Sequence, residues 1–294
     1  MKSKTDLFEN EGPSQEYCAL RRSDWGPDVE KRKRLNSMYK RHHQWLDESW
    51  LNRFLDKEFH QRSWELLIAD TLCSLGFEFG DESGDEGPDF VGRLFGIDVT
   101  VECVSYSPGQ EGKPFSVPRT NYEYRSGIEA MGHKKGDGYP SFLHWNEISL
   151  RVSNAFKAKV LQLQQHKSSG FTSRIHLIAI GNGGVKPGMV HDNLPHDDAI
   201  WRLFLPFKAT GIIDLDTGEH GIARETDTPK DKRVVEKPFL MEGAKGVAGV
   251  LFGTTLFSAG HMPWEDKLYW VRNPYADHFF DIPESPVLDS LVGC

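Results

Sequence analysis

Three acids in this chain form a spaced set whose residue types could do chemistry. Glu65 lies in an amphipathic stretch, Asp89 in Gly87-Pro88-Asp89-Phe90, and Glu102 inside the alternating run Ile97-Asp98-Val99-Thr100-Val101-Glu102-Cys103-Val104. A carboxylate in the middle of a β-run loses its hydration on burial unless it meets a partner. A hard cation is the simplest partner for two of them. Asp89, Glu102 and a backbone carbonyl, that of Cys103, would give Mg²⁺ or Mn²⁺ a set of oxygen ligands. Such an ion keeps several waters, takes up a phosphate oxygen and acidifies a bound water. A neighbouring ammonium would orient that water or stabilise a pentacoordinate transition state. The chemistry these residue types suit is phosphodiester hydrolysis.

The elements that must position them follow from periodicity. Phe59, Trp64, Leu67, Ile68, Thr71, Leu72 and Leu75 mark one face of a helix over 58–75, with Gly76 as its stop. Phe77-Glu78-Phe79 suits a short strand, and a Gly- and acid-rich loop then leads to Asp89. Phe90–Leu94 and Ile97–Val104 read as two strands joined through Phe95-Gly96, a hairpin. Thirteen positions separate Asp89 from Glu102, a comfortable gap for a strand that returns beside its neighbour. A second amphipathic helix is expected over 147–166, with Ile148, Val152, Ala155, Phe156 and Leu163 on one face. An apolar strand over 174–180 ends in Gly181-Asn182-Gly183-Gly184, and further strands are expected over 247–256 and 267–271.

The order helix, three strands, helix, strand predicts an α/β fold with a mixed sheet flanked by helices. Residues 1–57 form an N-terminal helical extension with a basic segment, its first 25 residues a loose lead-in. Residues 58–294 form the α/β domain, with a core over about 58–180 and additional strands in 181–294. The irregular stretch over 105–145 is long enough to suggest a functional loop, and 214–237 is charged and poorly patterned.

Gly-Pro-Asp, the hairpin, Val-Glu-x-x and the flanking helices together resemble the restriction-endonuclease-like superfamily, the PD-(D/E)xK nucleases. The resemblance covers roughly residues 58–180. It implies a restriction-endonuclease-like core and a Mg²⁺- or Mn²⁺-dependent nuclease acting on DNA or RNA, and it leaves a homodimer open. Asp89 matches the motif aspartate, Glu102 the motif glutamate, and Glu65 the extra acid that many members carry on the first helix. The motif lysine falls at Val104, which carries no charge. Some members place that lysine on the following helix. Here Lys159 falls on the apolar stripe, where an ammonium needs an anionic partner. Arg151, two turns earlier, lies near the same side as a substrate-binding candidate, and Lys157 is a weaker one, well around the helix.

Each residue also has a plainer reading. Gly-Pro-Asp is common turn chemistry, Glu102 suits a half-exposed sheet, Glu65 suits an ordinary helix, and Lys159 can snorkel from the edge of a stripe. A catalytically silent scaffold that binds nucleic acid or a protein partner is the alternative that Val104 favours. If the acids are incidental, Asp89 and Glu102 should not converge.

Bulk properties narrow the field further. The formal charge is −8, against non-specific adhesion to nucleic acid over the whole surface. Eight basic residues against three acids crowd 21–43, an arm suited to a phosphate backbone or simply a solvated helix face. The four scattered cysteines form neither a zinc-site nor a disulfide pattern and suit a reducing cytoplasm. No apolar run is long enough to cross a membrane. Gly181–Gly184 reads as a turn. The histidines lack zincin spacing, His196-Asp197-Asp198 lacks further ligands, and no serine elbow is present. The aromatics Phe257, Trp264, Tyr269, Trp270, Tyr275, Phe279 and Phe280 read as core and cover for the additional strands.

Overall fold

A computed structural model describes residues 6–80, 87–106, 142–168, 174–183, 204, 210–213, 220–223, 237–253 and 268–282. Helices α1 (Gln15–Arg22), α2 (Gly26–His42), α3 (Trp50–Leu55) and α4 (Phe59–Ser74) precede strands β1 (Glu78–Phe79), β2 (Phe90–Leu94) and β3 (Ile97–Ser105). Helix α5 (Phe142–Ser168), β4 (Ile175–Gly181), β5 (Thr210–Ile213), β6 (His220–Ala223), β7 (Val247–Gly253) and β8 (Leu268–Arg272) follow. Six strands form one mixed sheet in the order β1-β2-β3-β4-β7-β8, and β5 pairs with β6 alone. The fold is α/β.

Strands β3, β4 and β7 run parallel at the centre, with antiparallel pairs on either side. A central parallel strand is covered on both faces and so reads as a continuous apolar run. Val-Ala-Gly-Val-Leu-Phe-Gly in β7 is buried throughout. Strand alternation sends Val99, Val101 and Cys103 of β3 into the core shared with α4, and Val104 against the core built on α5. The sheet is thus the middle of three layers.

The expected hairpin is present. Phe95 and Gly96 take φ of 53° and 77°, the left-handed pair that a two-residue turn between twisted strands requires. The docking of α4 depends on glycine elsewhere. The Trp64 indole donates from Nε1 to the Ala179 carbonyl at 3.0 Å and lies across β4 and β7. A methyl group at Gly181 would stand 2.6 Å from that ring, and one at Gly253 would meet it too.

The loose lead-in is corrected for residues 6–25. Tyr17 and Leu20 of α1 are fully buried in the core that holds Phe54 and Phe59, and Tyr17 stacks on Phe8. Two anchors on one short helix outweigh the polar composition around them, since each buries a large apolar surface. The N-terminal helices share one core with α4 and one face of the sheet. The 105–145 stretch falls mostly outside the described residues, and α5 begins within it at Phe142. Strand β6 lies in the segment read as poorly patterned. Among the described residues no helix is long and apolar enough to cross a membrane.

Candidate active site

The ladder between β2 and β3 ends at Phe90 opposite Val101, while β3 stays paired with β4 as far as Ser105 opposite Gly181. The last turn's worth of β3 therefore has a strand on one side only. Side chains occupy the other. The Cys103 N–H donates to Asp89 Oδ2 at 2.7 Å, so the residue just before β2 caps the gap its own strand leaves.

Glu102 is fully buried and belongs to the sheet face that α5 covers. Lys159 extends from α5, where the apolar stripe of Val152, Phe156, Val160 and Leu163 is buried. Its ammonium donates to Glu102 Oε2 at 2.8 Å and to Gln162 Oε1 at 3.1 Å, and lies 3.5 Å from Asp89 Oδ2. Asp89 and Glu102 thus converge on one cation. Burial pushes the Glu102 carboxyl up to about 7, with Lys159 pulling down and the Asp89 charge adding to the push. Burial alone would lower the Lys159 ammonium, but the two carboxylates carry it up to about 12. Val104 packs against the α5-side core.

Glu65 approaches from the α4 side of the sheet. Its carboxylate accepts two bonds from Arg62, at 2.7 and 2.9 Å, and one from Gln61 Nε2 at 2.8 Å. Arg62 is held in turn by Glu58 and Asp47. Burial and the Asp89 charge together raise Glu65 to about 7 against the opposing pull of Arg62 and Gln61. The structure therefore brings Asp89, Glu102 and Lys159 into contact and sets Glu65 within electrostatic reach of Asp89. The Cys103 thiol is buried on the α4 side and held well above its ordinary value by desolvation, so its carbonyl is the group available to the site.

Arg151 lies close enough to Tyr106, just past β3, for its charge to oppose the rise that burial imposes on the phenol. Lys157 is exposed on α5. The sequence reading missed Gln61. Its one signal is its place four residues before Glu65, hence on the same helix face.

Of the eight basic residues over 21–41, several are engaged within the chain. Arg21 reaches the Phe8 carbonyl, Arg32 the carbonyls of Leu20 and Ser23, Lys31 pairs with Asp28, Lys33 with Glu30, and Arg41 with Asp70. His42 also bonds Asp70, at 2.7 Å. His191 and His196-Asp197-Asp198 lie outside the described residues, as do Phe257 and Trp264.

Among the described residues no three or more His, Cys, Asp or Glu side chains gather as metal ligands. The available set is two carboxylates and the Cys103 carbonyl, all hard oxygens, with Asp89 partly open to solvent. That donor chemistry fits Mg²⁺ or Mn²⁺, which complete their shells with water, and does not fit a soft ion. Compared with family models, curated proteins and solved structures, the chain matches none.

Proposed function

We propose that the protein is a metal-dependent phosphodiesterase, a nuclease acting on DNA or RNA, built on a restriction-endonuclease-like core over about 58–180. The observation that carries this reading is the half-buried Lys159 ammonium held by Asp89 and Glu102, a lysine from the following helix that would stand in for the one missing at Val104. The cluster lies at the carboxyl end of β3, beside the parallel β4, where open α/β sheets commonly bind ligands.

Asp89, Glu102 and the Cys103 carbonyl are the groups that would hold Mg²⁺ or Mn²⁺. When bound, such an ion acidifies water and neutralises charge on a phosphoryl oxygen. Lys159 supplies a fixed positive charge at the same point, desolvated and therefore strong, for a negatively charged transition state. Asp89, by accepting the Cys103 N–H, fixes the direction of the peptide that follows. Glu65 is the auxiliary acid, held rigidly by Arg62 and Gln61.

The test is cleavage of a plasmid and of a single-stranded RNA pool in Mg²⁺ or Mn²⁺ by wild type, Asp89→Ala, Glu102→Ala and Lys159→Ala. Each variant is expected to lose about 100-fold or more, the scale of removing one charge-stabilising group from an active site. A folded wild type that neither cuts nor binds Mn²⁺ would sink the reading. Val104 in place of the motif lysine supports a second reading, a silent scaffold that binds nucleic acid or a protein partner. It predicts that outcome together with retained binding.

A further inference from the structure

Gln61 sits in the gap where β2 stops short of β3. In an antiparallel ladder the N–H and C=O of alternate residues face one neighbour, so Cys103 and Ser105 turn their main-chain groups toward the space β2 vacates. Buried peptide groups require partners. Asp89 takes the Cys103 N–H, and Gln61 takes the Cys103 carbonyl and the Ser105 N–H. Its Oε1 accepts the Ser105 N–H at 2.6 Å, and its Nε2 donates to the Cys103 carbonyl at 3.2 Å. A carboxamide offers an acceptor and donors in one plane, as a peptide group does, so Gln61 substitutes for a residue of the absent strand.

The same Nε2 also donates to Glu65 Oε1 at 2.8 Å. One planar group, carried on α4, is therefore bonded to the carbonyl at the end of β3 and to the buried acid on the opposite side of the gap. We propose that Gln61 is a positioning residue of the phosphodiesterase site, fixing the Cys103 carbonyl and Glu65 relative to each other so that the carbonyl ligand is aimed before a cation arrives. The inference rests on the reading of Asp89, Glu102 and the Cys103 carbonyl as the cation's ligands. Gln61 does not touch substrate.

Partners that orient metal ligands typically alter affinity by 10- to 100-fold when removed. Mn²⁺ affinity by calorimetry on the full chain is therefore the readout, with thermal melts alongside. Gln61→Met keeps the volume and loses every bond. Gln61→Asn keeps the amide but withdraws it by one methylene, and carries the test if the methionine variant does not fold. Both are expected to bind Mn²⁺ about 10-fold or more weakly than wild type. Trp64→Phe, on the same helix and outside the cluster, serves as the control. It is expected to lower the melting temperature while leaving Mn²⁺ affinity within about twofold, because packing alone does not aim a ligand. Folded Gln61 variants with wild-type Mn²⁺ affinity would overturn the assignment and leave the phosphodiesterase reading standing. A wild type that binds no Mn²⁺ would overturn both.

Discussion

Glu65 and Glu102 are both held near 7 by burial, and the opposing cation differs: one guanidinium nitrogen shared between both carboxylate oxygens for the first, a single ammonium for the second. For Glu65 the sign of the linkage is fixed by the direction of the shift. A carboxyl raised from 4.5 to about 7 keeps its proton in the folded chain after the unfolded chain has released it. Stability from this source is complete below about pH 4.5 and is lost as pH rises through about 7. The melting temperature should therefore fall between pH 5 and pH 8, and fall less in Glu65→Gln. The difference should be on the order of 3 kcal/mol, at about 1.4 kcal/mol per pKa unit. A steeper fall in the variant would contradict it. Lys159 supports a separate expectation. Its ammonium stands on the ground a cation would take, so Lys159→Met should bind Mn²⁺ more tightly at pH 8, by about tenfold, while losing cleavage. Unchanged affinity in titration calorimetry would show that ion and ammonium do not compete.

At the scale of elements, the seating of α4 on the sheet is the sensitive joint. Gly181→Ala should cost about 1–3 kcal/mol in urea unfolding, because the new methyl meets the Trp64 ring and the core has no slack to receive it. The hairpin β2–β3 and the stripe on α5 were legible in the sequence because each has one clean period, and Lys159 was conspicuous as a cation within an apolar stripe. The sheet and its flanking helices followed from those patterns. Gln61 was not legible: its function depends on where β2 stops pairing, and no local pattern encodes the end of a ladder. Tyr17 and Leu20 were hidden for a different reason. Their helix is one of polar composition, and only the partners Phe8, Phe54 and Phe59 reveal what it buries.

For the whole molecule the distribution of charge matters more than its sum. The chain is acidic overall, and the basic arm over 21–41 is largely spent on its own backbone and carboxylates. Lys31 is buried 3.6 Å from an equally buried Asp28. Lys31→Met should therefore destabilise the fold by about 3 kcal/mol, the scale of breaking a buried ion pair by removing one partner. It should leave nucleic-acid affinity, read by filter binding at two salt concentrations, unchanged. A loss of affinity with no loss of stability would restore the arm as a phosphate contact. The ion pairs at the site also impose an order on events during folding. Asp89 and Glu102 are neighbours through one hairpin, but the ammonium that neutralises them lies 70 and 57 residues further along the chain. A hairpin closes in microseconds, whereas contacts of high sequence separation form late. Until α5 docks, the nascent sheet carries two negative charges that water must still solvate, and β3 stays wet at its carboxyl end. On this ordering, the carboxyl end of β3 dries only when α5 docks, and that step should follow hairpin closure.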